Sequence, residues 1–292
     1  MKLGMALTSG RKVLAAVVDG GIADLSGIVA QQDLLGVIEH WATCGPLLHA
    51  AVASNQLPLL ADAVWQAPLS HPPKVLLLAG NFRAHVVESG FAPAPEGLQT
   101  PQFFMKPTTA IAGPYDQIPL NKTNRKLDYE AELAVIIGSR VKDATLENAM
   151  NAVWGYTVAN DISERKLNEG MEGRHKRSND DFYDWLVGKW FDASLPLGPF
   201  AVTAEELAQD PVVSARLNGE VVQEAPLSAM IHSIAEAIVY ISAVLTLQPG
   251  DVICMGTPSG VGMARGRLLQ ADDVIECSVS GIGSLRNKVV PC

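Results

Sequence analysis

The chain has 292 residues, of which 48% are hydrophobic and 18% charged, so it can bury a sizeable core in one large or two smaller domains and is not disordered. Its formal net charge is -9, and no lysine or arginine stripe is long enough to neutralise several phosphates, which excludes a nucleic-acid partner. Ser9-Gly10-Arg11-Lys12 interrupts the apolar stretch after Lys2 and no apolar run approaches the length of a membrane span, so no membrane partner and a cytoplasmic location are expected.

Residues 11–28 read as a hairpin turning at Asp19-Gly20-Gly21, followed by amphipathic helices near 31–41 and 46–54. From 57 to 73 the composition shifts to Pro, Ala and Leu and ends in His71-Pro72-Pro73, an extended linker. The expected organisation is a small N-terminal domain over 1–72 and a second domain over 73–292. Cys44, Cys254, Cys277 and Cys292 lack framework or CxxC spacing and are expected to be reduced and mostly buried.

Lys74 to Gly80 is a short buried strand, after which His85 and Glu88 stand at i and i+3. A carboxylate beside an imidazole orients it and raises its basicity, although a surface ion pair is the plainer alternative. The proline- and glycine-rich loop 89–101 beside this pair has the makings of a lid. Short strands at 103–107 and 110–114 lead through a basic turn at 121–126 to the stretch 128–138.

That stretch reads as one buried strand. Alternation puts Glu130, Glu132, Ala134 and Ile136 on one face and Tyr129, Ala131, Leu133, Val135 and Ile137 on the other. Both faces are largely apolar, so two same-side carboxylates, with Cα atoms about 6.6 Å apart, leave water together. A solvated edge strand is the alternative. If the strand is buried, the charges need a shared proton, basic partners or a hard cation.

A helix is expected over 146–153 and a strand over 154–160. Asn160-Asp161 is either the N-cap of a following helix or the source of a third carboxylate. Residues 169–184 read as a charged excursion, and Lys189 sits among bulky apolar residues, either snorkelling or employed. A hairpin at Asn218-Gly219, a helix over 231–245, a strand before the glycine-rich turn at 256–262 with no clear helix after it, and strands at 274–279 and 284–290 complete the reading.

With these pieces in order, the region from Lys74 onward resembles the catalytic domain of the fumarylacetoacetate hydrolase family. The resemblance rests on Asp128-Tyr129-Glu130-Ala131-Glu132, Gly155-Tyr156 to Asn160-Asp161, Gly188-Lys189 with Asp192 through Pro196-Leu197-Gly198-Pro199, and Leu217-Asn218-Gly219. It extends through Pro249-Gly250-Asp251-Val252-Ile253, Gly256-Thr257-Pro258 and Gly281 to Asn287. It departs from the family pattern at Cys254-Met255 and in the long excursion before Lys189.

What the resemblance implies is an α+β protein with a mixed β-roll and peripheral helices, a homodimer, with Mg2+ (or Mn2+/Ca2+) held by Glu130, Glu132 and Asp161. By position, His85 with Glu88 matches the catalytic dyad and Lys189 the active-site lysine, while Arg165, Gly256 and Thr257 match substrate contacts. The activity implied is cleavage of a C–C bond in a 2,4-diketo acid by a metal-dependent hydrolase, with His85 activating water and Lys189 donating to an oxyanion. Decarboxylation of oxaloacetate-like acids and keto–enol isomerisation use the same core, and a metal-organised protein without turnover is the non-enzymatic alternative.

Overall fold

The computed structural model describes residues 1–95, 97–120, 126–167 and 173–291. The strands used below are β1 (Lys2–Thr8), β2 (Arg11–Val18), β3 (Gly21–Asp24), β4 (Val75–Ala79), β5 (Gln102–Met105), β6 (Ala131–Ile137), β7 (Val153–Asn160), β8 (Leu195–Thr203), β9 (Val212–Leu217), β10 (Glu220–Pro226), β11 (Val252–Cys254), β12 (Val274–Val279) and β13 (Gly283–Pro291). The α-helices are α1 (Leu34–Glu39), α2 (Trp41–Ala53), α3 (Arg83–Glu88), α4 (Asp180–Val187), α5 (Ile234–Val244) and α6 (Gly262–Arg265). None of them is long and apolar enough to cross a membrane.

β6 is buried along its whole length because both of its faces are apolar. Leu133, Val135 and Ile137 pack with Val213, Ile275, Leu285 and Ile238 from the second sheet and α5. Ala134 and Ile136 face the other way, into a core with Leu3, Leu34 and Leu48. At about 1.5–3 kcal/mol for each large aliphatic side chain buried, the strand is a firm anchor for the acidic residues at its start.

Around it a mixed sheet runs β3-β2-β1-β8-β7-β6-β11-β4-β5, antiparallel except where β11 pairs with β4. A second sheet, β10-β9-β12-β13 with Ile118–Leu120, packs across it. This is an α+β mixed β-roll with peripheral helices. The N-terminal strands join the large sheet where β1 pairs with β8, Lys2 opposite Val202 and Leu3 opposite Ala201.

The hairpin at Asn218-Gly219 forms with both residues at positive φ, 51° and 91°, the conformation that two-residue turns require. Elsewhere the elements differ from expectation. The helix expected over 146–153 is only the 3-10 turn Ala149–Ala152, because the Gly138 N–H bonds Ala152 O and draws the chain into β7. α2 starts at Trp41 and carries Pro46 inside it, whereas α1 spans only six residues. The glycine-rich turn does lead into a helix, the four-residue α6, capped by Gly266 in the left-handed region. Cys44, Cys254 and Cys277 are buried free thiols. Most of the basic turn at 121–126, the start of the charged excursion and Cys292 lie outside the described residues.

Candidate active site

The expected single strand over 128–138 is broken at Tyr129-Glu130, where side chains take over the ladder bonds. The N–H of Tyr129 goes to Asp128 Oδ1 (2.9 Å), that of Glu130 to Asn160 Oδ1 (3.0 Å) and that of Ala131 to Gln223 Oε1 (3.1 Å). The break leaves Glu130 and Glu132 on one side. Asp161 follows β7 and is tied to the same place by its N–H to Glu130 O (2.8 Å). It caps no helix: the chain continues into a short strand, Ser163–Glu164, that pairs with Leu127–Asp128, and the Glu164 N–H bonds Gly188 O.

Glu130, Glu132 and Asp161 are all buried, and each offers an oxygen within 4.8 Å of the others. Basic groups neutralise most of this charge. Lys189 Nζ lies 2.8 Å from Glu130 Oε2 and 2.7 Å from Asp161 Oδ2, between the rings of Phe104 and Trp185. Arg165 bridges Asp128 Oδ2 (2.8 Å) and Glu130 Oε1 (2.6 Å). A third cation, Lys106, carries no signal in the sequence beyond a Lys-Pro after a strand. It is wholly buried, 2.6 Å from Asp161 Oδ1, and donates to Ile162 O, Ser194 O and Ser194 Oγ.

The electrostatics divide the carboxylates. Burial alone raises the Glu130 carboxyl, but the Lys189 and Arg165 charges reverse this and hold it well below the ordinary range. Among the described residues Glu132 has no ion-pair partner and accepts one bond, from the Gly256 N–H (2.7 Å); burial and the Asp161 and Glu130 charges push it well up. Burial pulls Lys106 down, while Lys189 is raised because Asp161 and Glu130 outweigh its desolvation.

These residues fit a hard cation. Lys106, Lys189 and Arg165 pair with Asp128, Glu130 and Asp161 and leave Glu132 without an ion-pair partner among the described residues. Asp161 Oδ1, though close to Lys106, is off hydrogen-bond geometry and has a lone pair to give. An all-oxygen, carboxylate-rich set suits a divalent ion of the Mg2+, Mn2+ or Ca2+ kind.

His85 lies on α3 with Nδ1 2.7 Å from Glu88 Oε1, both side chains partly buried, so this is an oriented pair within the fold. The pair and the carboxylates are tied to one turn, Glu88 through the Gly260 N–H (2.8 Å) and Glu132 through the Gly256 N–H (2.7 Å). Arg165, Gly256 and Thr257 are all committed to the protein: Gly256 through its N–H to Glu132, and Thr257 through its hydroxyl to Ala131 O and from Gln223 Nε2.

The fumarylacetoacetate (FAA) hydrolase C-terminal family profile matches residues 74–290. The chain belongs to the fumarylacetoacetate hydrolase family. It is 36% identical over 280 residues to the mitochondrial oxaloacetate tautomerase FAHD2A of Bos taurus, covering 93% of this chain and 84% of the relative. A fumarylacetoacetate hydrolase from Exiguobacterium antarcticum superposes with a TM-score of 0.85 at 32% identity over the whole of both chains. Maleylpyruvate hydrolase from Sphingobium sp. SYK-6, in complex with manganese(II) and pyruvate, superposes at 0.79 with 26% identity, covering 100% of this chain and 99% of that one.

Within this family site, Lys106 gives the first expected result. Lys106→Met strips a buried cation from Asp161, and losing one partner of a buried pair costs about 3–5 kcal/mol. Denaturant unfolding of the metal-free protein is expected to show a loss of that size. A stability within about 1 kcal/mol of wild type would mean that Lys106 does not carry the charge balance described here.

Proposed function

We propose that the protein interconverts the keto and enol forms of an oxaloacetate-type 2-keto dicarboxylic acid. The observation that carries this reading is that a three-carboxylate cation site and a carboxylate-oriented imidazole are held by one turn, through the Gly256 N–H to Glu132 and the Gly260 N–H to Glu88. Enolisation needs an electrophile at the carbonyl and a base at the neighbouring carbon. Glu130, Glu132 and Asp161 would hold a Mg2+, Mn2+ or Ca2+ ion, which when bound would supply that electrophile as a Lewis acid.

His85 is the base. With Nδ1 held by Glu88, its Nε2 takes the proton from the carbon beside the keto group, breaking the C–H bond, and the imidazolium returns that proton through water to the oxygen, giving the enol and restoring the neutral imidazole. Lys189 spends two of its three N–H groups on Glu130 and Asp161 and turns the third toward the developing oxyanion. Arg165 offers its remaining Nη1 edge to the substrate's carboxylates, while Gly256 and Thr257, whose N–H and hydroxyl are spent on Glu132 and Ala131 O, hold the turn beside it.

The reading is supported by the tautomerase relative, whose likeness extends over 93% of the chain, beyond the residues matched by the family profile. A second reading has support too. The same His85-Glu88 pair suits hydrolysis of a 2,4-diketo acid, in which His85 takes a proton from water, hydroxide adds to the distal carbonyl and the C–C bond to the enolate carbon breaks.

The deciding experiment supplies purified protein and Mg2+ with enol-enriched oxaloacetate and, separately, with acylpyruvates, following enol absorbance and pyruvate release. Rapid equilibration of enol with keto form, without release of pyruvate or carbon dioxide, is expected. Pyruvate release from an acylpyruvate at a higher kcat/KM would replace this reading with hydrolysis.

A further inference from the structure

Glu88 has a second carboxylate oxygen, and it is not free. Oε2 accepts the N–H of Gly260 at 2.8 Å, while Gly260 O accepts the hydroxyl of Tyr129 at 3.1 Å. Gly260 is wedged where it stands. Its φ is +105°, and a Cβ on it would overlap Val222 O, so the backbone of the β9–β10 hairpin backs it directly.

The turn that contains Gly260 lies along 128–132 and is gripped at almost every step. Gly256 N–H goes to Glu132 (2.7 Å), the Thr257 hydroxyl to Ala131 O (2.9 Å), Gln223 Nε2 to Pro258 O (2.7 Å), and the Gly262 and Met263 N–H groups to Asp128 (2.6 and 3.0 Å). By contrast, α3, which carries His85, has six residues, no fully buried side chain and no side-chain N-cap. Packing alone does not fix its orientation. Its N-terminal end is held by Asn81, whose amide bonds Met255 O and His232 O and accepts the His232 N–H. Its C-terminal end is held at Glu88.

We infer that Tyr129 is a positioning residue for the His85-Glu88 pair, acting through Gly260 to hold Glu88 and thereby the imidazole. The hydroxyl fixes Gly260, Gly260 fixes one oxygen of Glu88, and the other oxygen fixes His85 Nδ1–H, leaving Nε2 as the acceptor. A carboxylate can serve both donors. A glutamine at 88 cannot, because its amide has a single acceptor oxygen.

The inference rests on His85 being the base, and its test separates the two ideas. Nitrogen NMR of metal-free, substrate-free protein reads the His85 tautomer directly. Wild type is expected to hold the Nδ1–H form, and Tyr129→Phe to shift toward a mixture, with its thermal melting lowered by no more than the few degrees that one hydrogen bond is worth. With Mg2+ and substrate, kcat in Tyr129→Phe is expected to fall about 2- to 12-fold, the worth of one intramolecular hydrogen bond, with KM and metal affinity unchanged.

In a Glu88→Gln background, where the link is already cut, Tyr129→Phe should add no further loss. An unaltered tautomer in Tyr129→Phe, an equal loss in both backgrounds, or a loss of metal affinity with the tautomer intact would each overturn the inference. A tautomer shift in a protein inactive on keto acids would keep the coupling and remove the proposed function.

Discussion

Glu132→Ala is expected to abolish tight binding of a divalent cation. Glu132 is the cleanest of the three proposed ligands to remove, because among the described residues no lysine or arginine is paired with it and only the Gly256 N–H loses a partner. Removing Glu130 or Asp161 instead leaves Lys189, Arg165 or Lys106 as a buried cation without its counter-charge, so their loss mixes metal binding with folding. The loss in affinity should exceed the roughly 10- to 100-fold that follows removal of a residue merely supporting a ligand. Burial and two neighbouring negative charges already push the Glu132 carboxyl up, so the metal-free variant should melt no lower than metal-free wild type. The gain in stability that wild type draws from added Mg2+ should disappear in the variant. Calorimetric titration reads the first effect and thermal unfolding the second; unchanged cation binding in Glu132→Ala would remove the assignment of the three carboxylates.

His85→Ala tests the other half of the site and should separate turnover from metal binding. His85 has its hydrogen bond to Glu88 and none to Glu130, Glu132 or Asp161. Loss of a positioned general base costs about 10²- to 10⁴-fold in rate, so kcat should fall by that much while the cation affinity stays within about twofold, because the ligand oxygens are untouched. Near-wild-type turnover in this variant would take proton transfer away from His85 in both the tautomerase and the hydrolase readings.

Much of this arrangement was legible in the sequence, because the features involved repeat with a period or stand in fixed order. The two-residue alternation through 131–137 gave the doubly buried strand, and the presence of Glu130 and Glu132 within it posed a charge problem that had to be answered nearby. The answer was only partly legible. Arg165 and Lys189 were marked by their place in the family pattern, but as substrate and oxyanion contacts, and nothing showed that both pair with Glu130.

Lys106 was missed because a lysine before proline at a strand end reads as a solvated residue; only the packing of β5 against β4, and of Ser194 against its ammonium, shows otherwise. Gln223 and Asn81 were missed for a related reason. Each is one amide whose work lies in bonds to chain segments far away in sequence, such as Gln223 to Ala131 and Pro258 or Asn81 to Met255. Local pattern carries no trace of such contacts. The expected helix over 146–153 failed in the same way, since the bond from Gly138 N–H to Ala152 O is tertiary and overrides local propensity.

The proposed function requires that the carboxylate cluster and its cation form the receptor for a 2-keto acid. The most direct measurement is the affinity of oxalate, a mimic of the pyruvate enolate, determined by calorimetry with and without Mg2+ on wild-type protein and on Glu132→Ala. Oxalate is expected to bind wild type only when Mg2+ is present and not to bind Glu132→Ala under either condition. Equal oxalate binding by wild type in the absence of any divalent ion would contradict that requirement.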